Sequence, residues 1–230
     1  MTRDAAARVI TYGRAATAQV RAVGDAVETA RGVTFALEAG GARATVTLAL
    51  AGRHNVVNAL AAAAVGVALG VPLEAIARGL AEAQPVAGRC VWRAAGQVRI
   101  LDDTYNANPV SLRAALETVA AGRGAGRLVV VLGDMLELGA ITEEAHRDAG
   151  RAAVAAGADE LVGVGRSALW AVEAARGAGL AQAHHATTFE DTVAHLLKRL
   201  VPGDTVLVKG SRGMRLERVV DALVARLARE

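Results

Sequence analysis

The sequence has a single cysteine, Cys90, among its 230 residues. One cysteine excludes an internal disulfide and a cysteine-based zinc cluster, and it is typical of proteins from a reducing compartment. No apolar run approaches the roughly 18 residues of a membrane-spanning helix, and residues 1–7 lack the basic start and apolar core of a secretory signal. We therefore expect a cytoplasmic protein with no membrane partner, in which Cys90 is a small buried side chain and not a nucleophile.

Lysine and aromatic residues are also scarce. Lys198 and Lys209 are the only lysines, and aromatic residues make up 3% of the chain. The 26 basic residues are spread among 23 acidic ones, which gives a formal charge of +3, and no basic block with interleaved aromatics occurs. The sequence therefore predicts a balanced, solvated surface and no nucleic-acid partner.

The first part of the chain has the pattern of a small antiparallel sheet followed by two helices. Short β-type runs occupy residues 9–12, 19–23, 33–38 and 44–50, and Ala-rich helical patterns occupy 55–69 and 72–83. The pair Gly40-Gly41 separates the last two runs, and glycine enters the positive-φ conformations that hairpin turns require. Pro85 and Gly88 then mark a boundary, so we predict two domains, 1–86 and 87–230.

After Gly88 the pattern alternates between strand and helix. Strands are predicted at 98–101, 128–132, 160–164, 184–186 and 205–208, and helices at 111–121, 143–156, 168–176, 188–200 and 216–227. Continuous β-branched runs such as Val129-Val130-Val131 are typical of strands that are buried on both faces. The fold class is therefore α/β, and residues 87–230 are predicted to form a Rossmann-like, doubly wound parallel sheet.

Polar, glycine-bearing turns follow four of these strands. They are Asp102 to Pro109, Gly133 to Gly139, Gly163 to Ser167 and Lys209 to Met214. Because parallel strands end at the same edge of a sheet, these turns are expected to form one binding crevice. Asp134 could cap a helix or belong to the binding site. The ammonium, hydroxyl and guanidinium groups of the last turn favour an anionic ligand.

Three motifs in this order closely resemble the Mur ligase family. They are Asp102-Asp103-Thr104-Tyr105-Asn106-Ala107-Asn108-Pro109, Gly133-Asp134-Met135-Leu136-Glu137-Leu138-Gly139 and Lys209-Gly210-Ser211-Arg212-Gly213-Met214. The segment from Gly52 to Ala62 is similar to the central-domain helix of that family, and Gly88-Arg89 to the start of its third domain. The resemblance implies that residues 1–86 are the trailing part of a central ATPase domain, and that 87–230 are the carboxyl-terminal domain.

The resemblance implies an ATP-driven amide ligation in peptidoglycan precursor synthesis. A carboxylate of UDP-N-acetylmuramoyl-tripeptide would attack the γ-phosphate of ATP, and the amine of D-alanyl-D-alanine would displace phosphate from the acyl phosphate. By the same resemblance Arg89 is the catalytic residue that reaches the terminal phosphates. The residues implied for nucleotide binding are Asn55, Asn58, Arg89, Asp103, Tyr105 and Asn106, and those implied for the other substrates are Asn108, Lys209, Ser211 and Arg212.

One expected feature of Mur ligases is missing from the sequence. No Gly-x-x-x-x-Gly-Lys-Ser/Thr phosphate-binding loop occurs, and neither lysine lies in such a setting. We therefore expect the chain to be the carboxyl-terminal part of a longer enzyme that is monomeric when complete. The ligands for Mg²⁺, which accompanies ATP in the family, are expected in the missing part, and no metal-binding residue is assigned here.

Two other interpretations stay open at this point. The chain could be a stand-alone nucleotide- or anion-binding module without catalytic activity, since the missing loop would allow that equally. It could also be a related Mur or folylpolyglutamate-type ligase. The Asp-Asn-Pro-Arg motif expected of the diaminopimelate- or lysine-adding ligase is absent, and the Asp102 to Pro109 pattern is not expected in a folylpolyglutamate synthase.

Overall fold

A computed structural model describes residues 9–29 and 32–228 of the chain. The amino-terminal segment 1–7, which was considered above as a signal, lies outside this described part. The chain divides into two compact units, Met1–Gln84 and Pro85–Glu230. The predicted boundary after residue 86 lies within two residues of this division and stays a prediction. Within the described ranges, no helix is long and apolar enough to cross a membrane.

The first unit is a four-stranded sheet with two helices. Its elements are β1 (Tyr12–Gly13), β2 (Val20–Thr29), β3 (Gly32–Ala39), β4 (Ala42–Leu48), α1 (His54–Ala68) and α2 (Leu73–Ala81). The β3–β4 hairpin turns at Gly40 and Gly41, both with positive φ, as the sequence predicted. β2, β3 and β4 are antiparallel, but β1 pairs parallel to β2, so the prediction of a fully antiparallel meander was wrong.

The second unit is a six-stranded α/β sheet. Its strands are β5 (Val91–Ala95), β6 (Val98–Asp103), β7 (Leu128–Gly133), β8 (Glu160–Val164), β9 (Ala183–Ala186) and β10 (Thr205–Lys209). Its helices are α3 (Pro109–Gly122), α4 (Thr142–Ala155), α5 (Ala168–Gly177), α6 (Phe189–Arg199) and α7 (Glu217–Leu227). The strand order is β5-β6-β10-β7-β8-β9, so the last strand of the chain lies between β6 and β7.

The sheet is mixed and not wholly parallel. β6 to β10 are parallel, as predicted, but β5 forms an antiparallel hairpin with β6 at the sheet edge. The sequence did not predict β5 because its residues are mostly half-buried and lack the continuous apolar run of a central strand. A single antiparallel edge strand is common on such sheets.

Side chains alternate between the two faces of the sheet along each strand, so the second unit has two hydrophobic cores. On one face Leu128, Val130 and Leu132 pack with residues of α3, α4 and α5. On the other face Val129 and Val131 pack with residues of α6 and α7. Because both faces are covered, β7 is buried along its whole length. Polar groups of the parallel strands can therefore reach solvent only at the strand ends, where the four polar turns lie.

Candidate functional site

The turn after β6 is shaped by the start of α3. Asn108 is the N-cap of that helix, and its side chain accepts a hydrogen bond from the Ser111 backbone N–H at 2.8 Å. Ser111 Oγ in turn accepts from the Asn108 N–H at 3.1 Å, and Pro109 occupies the first turn. Such a reciprocal cap fixes where the helix begins. Asn108, which was predicted to contact substrate, therefore has a structural role, and its predicted contact stays a prediction.

Asp103 and Lys209 form a buried ion pair at the ends of neighbouring strands. Lys209 Nζ lies 2.5 Å from Asp103 Oδ2 and donates also to the Asn106 carbonyl at 2.8 Å. The Lys209 side chain is only 1% exposed. The ammonium of Lys209 is therefore directed into the protein in this structure. Its predicted contact with the dipeptide is untested.

The other carboxylate oxygen of Asp103 binds the segment that enters β5. Asp103 Oδ1 accepts the Cys90 N–H at 3.1 Å, and the Gly88 carbonyl accepts the Tyr105 N–H at 2.9 Å. Gly88 has a φ of +72°, and a Cβ there would lie 3.0 Å from the Tyr105 nitrogen. Only glycine accommodates both this backbone conformation and this close approach. The segment that carries Arg89 is therefore held against the loop that carries Tyr105.

Two guanidinium groups lie near the exposed ring of Tyr105. The Cζ atom of Arg89 lies 3.9 Å from the ring centroid, a cation–π distance, and that of Arg212 lies 5.9 Å away. Arg89 is exposed, and the Arg212 side chain is 66% exposed. Arg212 Nη1 also lies 3.6 Å from Glu217 Oε1. Two permanently charged groups are therefore presented to solvent beside one aromatic ring, an arrangement that can bind an anion.

The turn after β10 was predicted to place its polar groups at a helix start. Instead, Arg212–Met214 form a 3-10 turn, Arg215 is left-handed with a φ of +51°, and α7 begins at Glu217. Ser211 is buried, and its Oγ accepts the Leu136 N–H at 2.8 Å, which ties this turn to the one after β7. Of the three residues predicted in this turn, only Arg212 presents its polar group to solvent.

Asp134 acts as a helix cap across the sheet edge. Its Oδ1 accepts the Ala168 N–H at 2.8 Å and its Oδ2 the Arg166 N–H at 3.1 Å, at the start of α5. Of the two interpretations left open for Asp134, the contacts favour the cap. The carboxylate also fills the space beside Gly165, where a Cβ would lie 2.8 Å from it.

The carboxyl group of Asp102 has a pKa above its ordinary value. Burial raises the pKa of Asp102, and hydrogen bonds from the Thr104 hydroxyl and backbone N–H, at 2.7 and 3.3 Å, oppose the rise. Desolvation disfavours the charged carboxylate, whereas donors favour it. Asp102 therefore stabilises the turn, and its side chain belongs to the protein interior.

His146 was not identified from the sequence. It is completely buried on α4, where Nε2 accepts the Met135 N–H at 2.9 Å and Nδ1 lies 2.6 Å from the Thr142 carbonyl. Since a backbone N–H can only donate, Nε2 must be unprotonated and Nδ1 carries the hydrogen. His146 on α4 therefore holds the turn after β7 through the backbone of Met135. Its helical position gave no sign of this contact, because Met135 precedes the helix.

In the first unit, the predicted adenine-binding residues lie at the start of α1. Asn55 Nδ2 donates to the Ala51 carbonyl at 2.7 Å, and Asn58 Nδ2 donates to Asn55 Oδ1 at 3.0 Å. Glu28, which sequence reasoning missed, accepts the Gly52 N–H at 2.8 Å from the end of β2. Asn58 is exposed, and its side-chain amide carries both a donor nitrogen and an acceptor oxygen.

The residues described here do not suit a metal ion. Within 9–29 and 32–228, no group of three or more His, Cys, Asp or Glu side chains could hold one. Hard cations such as Mg²⁺ need several oxygen ligands that converge. The oxygens of Asp103 and Asp134 instead accept hydrogen bonds from the protein.

Comparison with known proteins identifies the family of this fold. Residues 88–212 match the Mur ligase glutamate ligase domain, and residues 1–66 match the Mur ligase middle domain. The first match covers more than half of the chain, so the chain belongs to the Mur ligase family. This confirms the resemblance and the α/β fold class that the three motifs predicted.

Within this family, similar proteins include one curated ligase and two solved structures of MurF. A UDP-N-acetylmuramoyl-tripeptide--D-alanyl-D-alanine ligase of Escherichia coli K12 is 42% identical over 202 residues, which are 85% of this chain and 42% of that protein. A crystal structure of MurF from Acinetobacter baumannii has a TM-score of 0.84 at 32% identity, covering 94% of this chain and 47% of that one. MurF of Thermotoga maritima, in complex with ADP, has a TM-score of 0.79 at 25% identity, covering 96% and 49%. The chain thus spans less than half the length of these relatives.

Proposed function

We propose that this chain serves an ATP-dependent ligase that joins D-alanyl-D-alanine to UDP-N-acetylmuramoyl-tripeptide in peptidoglycan precursor synthesis. The names of the relatives support this substrate pair. The observation that carries the proposal is the exposed guanidinium of Arg89, stacked on Tyr105 at the edge of the sheet where the strands end. A planar, permanently charged group in that position suits a transferring phosphoryl group.

The nucleotide is the first ligand to be placed. In the second unit we assign Arg89 to the terminal phosphates of ATP, Asp103 to the ribose hydroxyls, and Tyr105 and Asn106 to the neighbouring surface. Both carboxylate oxygens of Asp103 already accept hydrogen bonds and its side chain is 12% exposed, so the ribose contact would use a remaining lone pair. The complex of the Thermotoga maritima relative with ADP supports a nucleotide ligand.

The adenine ring is assigned in the first unit, to Asn55 and Asn58. An amide presents one acceptor and two donors, which match the ring nitrogen and the amino group of adenine. One hydrogen bond joins the two side chains, and the exposed Asn58 is the better placed to reach a ligand. Its contact with adenine rests on the family resemblance.

The dipeptide is assigned to Arg212. This guanidinium is exposed near Tyr105 and can bind the terminal carboxylate of D-alanyl-D-alanine in a bidentate manner. Ser211 and Lys209 are buried and already bonded, so they support this turn from below. Mg²⁺ would accompany ATP, but the described residues do not offer the ligands that it needs.

The experiment joins this chain to the amino-terminal part of the Escherichia coli relative and measures ADP release. We expect release that depends on both the muramyl tripeptide and D-alanyl-D-alanine. Arg89→Ala should lower turnover on the order of a hundredfold, as loss of one transition-state contact does, and Arg212→Ala should mainly raise the KM for the dipeptide. Arg226→Ala, a surface arginine of α7, is the matched control.

Two outcomes would contradict the proposal. Full turnover by the Arg89→Ala variant would remove the catalytic assignment. ADP binding without any ligation, under conditions where the joined protein is folded, would favour the interpretation as a nucleotide-binding module without catalytic activity.

A further inference from the structure

Lys209 is the most unusual buried side chain of the protein. Lys209 is the last residue of the central strand β10 and is 1% exposed. It is one of the largest fully buried side chains among the described residues. Lysine is almost never fully buried unless it is paired, because an ammonium in the interior is strongly destabilising without partners. The sequence has only one other lysine, the exposed Lys198 of α6. A buried position is therefore a specific property of Lys209.

The partners of Lys209 lie in the loop that carries Tyr105. Its ammonium donates to Asp103 Oδ2 at 2.5 Å and to the Asn106 carbonyl at 2.8 Å. Asp103 precedes Tyr105 in the chain and Asn106 follows it. One ammonium therefore donates hydrogen bonds to the loop on both sides of the aromatic residue. A charged donor forms roughly twice as strong a hydrogen bond as a neutral one. The position of the Tyr105 backbone is therefore set by Lys209.

A second segment is fixed through the same carboxylate. Asp103 Oδ1 accepts the Cys90 N–H at 3.1 Å, and the Gly88 carbonyl accepts the Tyr105 N–H at 2.9 Å. Arg89 lies between these two bonded residues, and its guanidinium rests 3.9 Å from the Tyr105 ring centroid. The orientation of Asp103 decides whether its Oδ1 can reach Cys90, and Lys209 holds that orientation through Oδ2.

We propose that Lys209 is a positioning residue that sets the Arg89 guanidinium on the Tyr105 ring by bonding Asp103 and the Asn106 carbonyl. In this role it acts through Asp103 and the Asn106 carbonyl, not through a contact with a ligand. The use of the positioned guanidinium in catalysis rests on the proposed function, but the positioning itself does not. The tests below therefore use no nucleotide, so that each idea can fail separately.

The first test is an NMR comparison of Lys209→Met with Lys198→Met in the full chain. Methionine keeps most of the length of the side chain and removes the charge. Protons of Arg89 over the Tyr105 ring should be shifted upfield in the wild-type protein by the ring current, and loss of this shift in Tyr105→Leu would identify it. We expect the Arg89 shift to be lost in Lys209→Met and retained in Lys198→Met. Hydrogen exchange at the Cys90 amide should also quicken by about tenfold or more, the effect of one lost hydrogen bond to a charged group.

A control separates positioning from general stability. Gly150→Ala places a methyl group against the Ala171 carbonyl, at 2.1 Å in the present backbone, and so destabilises the same unit at α4 and α5. We expect it to keep the Arg89 shift in the folded protein. An unchanged Arg89 shift in folded Lys209→Met, or its equal loss in Gly150→Ala, would overturn the proposal.

A second route applies if Lys209→Met does not fold. Replacing both members of a buried pair by apolar residues often restores folding, so Asp103→Leu combined with Lys209→Met should give a folded chain without the Arg89 shift. Retention of the shift in that folded double variant would overturn the proposal. Amine acetylation of the wild-type protein gives an independent check: Lys198 should react at least about a hundredfold faster than Lys209, because a buried amine reacts only after local opening. Equal rates would show that the Lys209 ammonium is not held inside.

Discussion

Replacing Asp134 by alanine should destabilise the second unit strongly. The carboxylate of Asp134 accepts two backbone N–H groups at the start of α5, from Ala168 and Arg166, and its side chain lies in a buried setting. Each buried donor left without a partner costs about 1–3 kcal/mol, and a lost helix cap costs about 0.5–2 kcal/mol. Since these two costs describe the same bonds, we expect the free energy of unfolding to fall by about 2–4 kcal/mol.

Urea unfolding followed by tryptophan fluorescence measures this change directly. Both tryptophans of the chain lie in the second unit, Trp92 on β5 and Trp170 on α5, so the signal reports this unit alone. The same loss should lower the melting temperature by roughly 5–15 °C for a domain of this size. Asp134→Asn keeps one accepting oxygen and should lie between the wild type and Asp134→Ala.

The matched control is Asp148→Ala. It removes the same charge from α4, where the carboxylate is 50% exposed and pairs with Arg151 along the helix. Such a surface pair is worth a few tenths of a kcal/mol, roughly 0.3–0.5. If Asp134→Ala and Asp148→Ala unfold at the same urea concentration, Asp134 is not the cap of α5 and the reasoning fails.

Three further predictions concern the same unit. Asp102→Asn should raise the free energy of unfolding at neutral pH but not in acid, which urea unfolding across pH would show. Burial raises the pKa of Asp102 in the folded state, so the stability that this carboxyl contributes is fully present below its unfolded pKa and is lost as pH rises through its folded pKa. Gly150→Ala should destabilise by about 1–3 kcal/mol despite a better helix propensity, because α4 and α5 touch there; an unchanged melting temperature would contradict this. His146→Phe should cost about 1–3 kcal/mol and speed amide exchange at Met135, whose N–H loses its acceptor.

Much of the second unit could be predicted from local pattern. The run Val129-Val130-Val131 predicted a strand that is buried on both faces, and β7 is such a strand. Polar residues after the strands predicted that the unusual groups gather where the strands end. These predictions succeed because strand periodicity and turn chemistry act between residues that are near one another in the chain.

Contacts between distant residues could not be predicted in this way. β5 was missed because an edge strand needs no apolar run, and the position of β10 between β6 and β7 follows from packing and not from sequence order. Lys209 illustrates the same limit. Its rarity and its place after a strand suggested a ligand contact, but its partner Asp103 lies 106 residues away in the chain.

The sequence by itself determined the family, the fold class and the identity of the charged groups at the sheet edge. Family motifs and hydrophobic periodicity involve residues that are near one another in the chain, so they can be recognised in the sequence alone. The tertiary structure decided which of those groups face solvent. Arg89 and Arg212 lie near the exposed ring of Tyr105. Lys209 is buried, because β10 lies beside β6 and brings its ammonium against Asp103. Burial is a property of the assembled sheet, and an ammonium inside it is stable only with the partners that the sheet supplies.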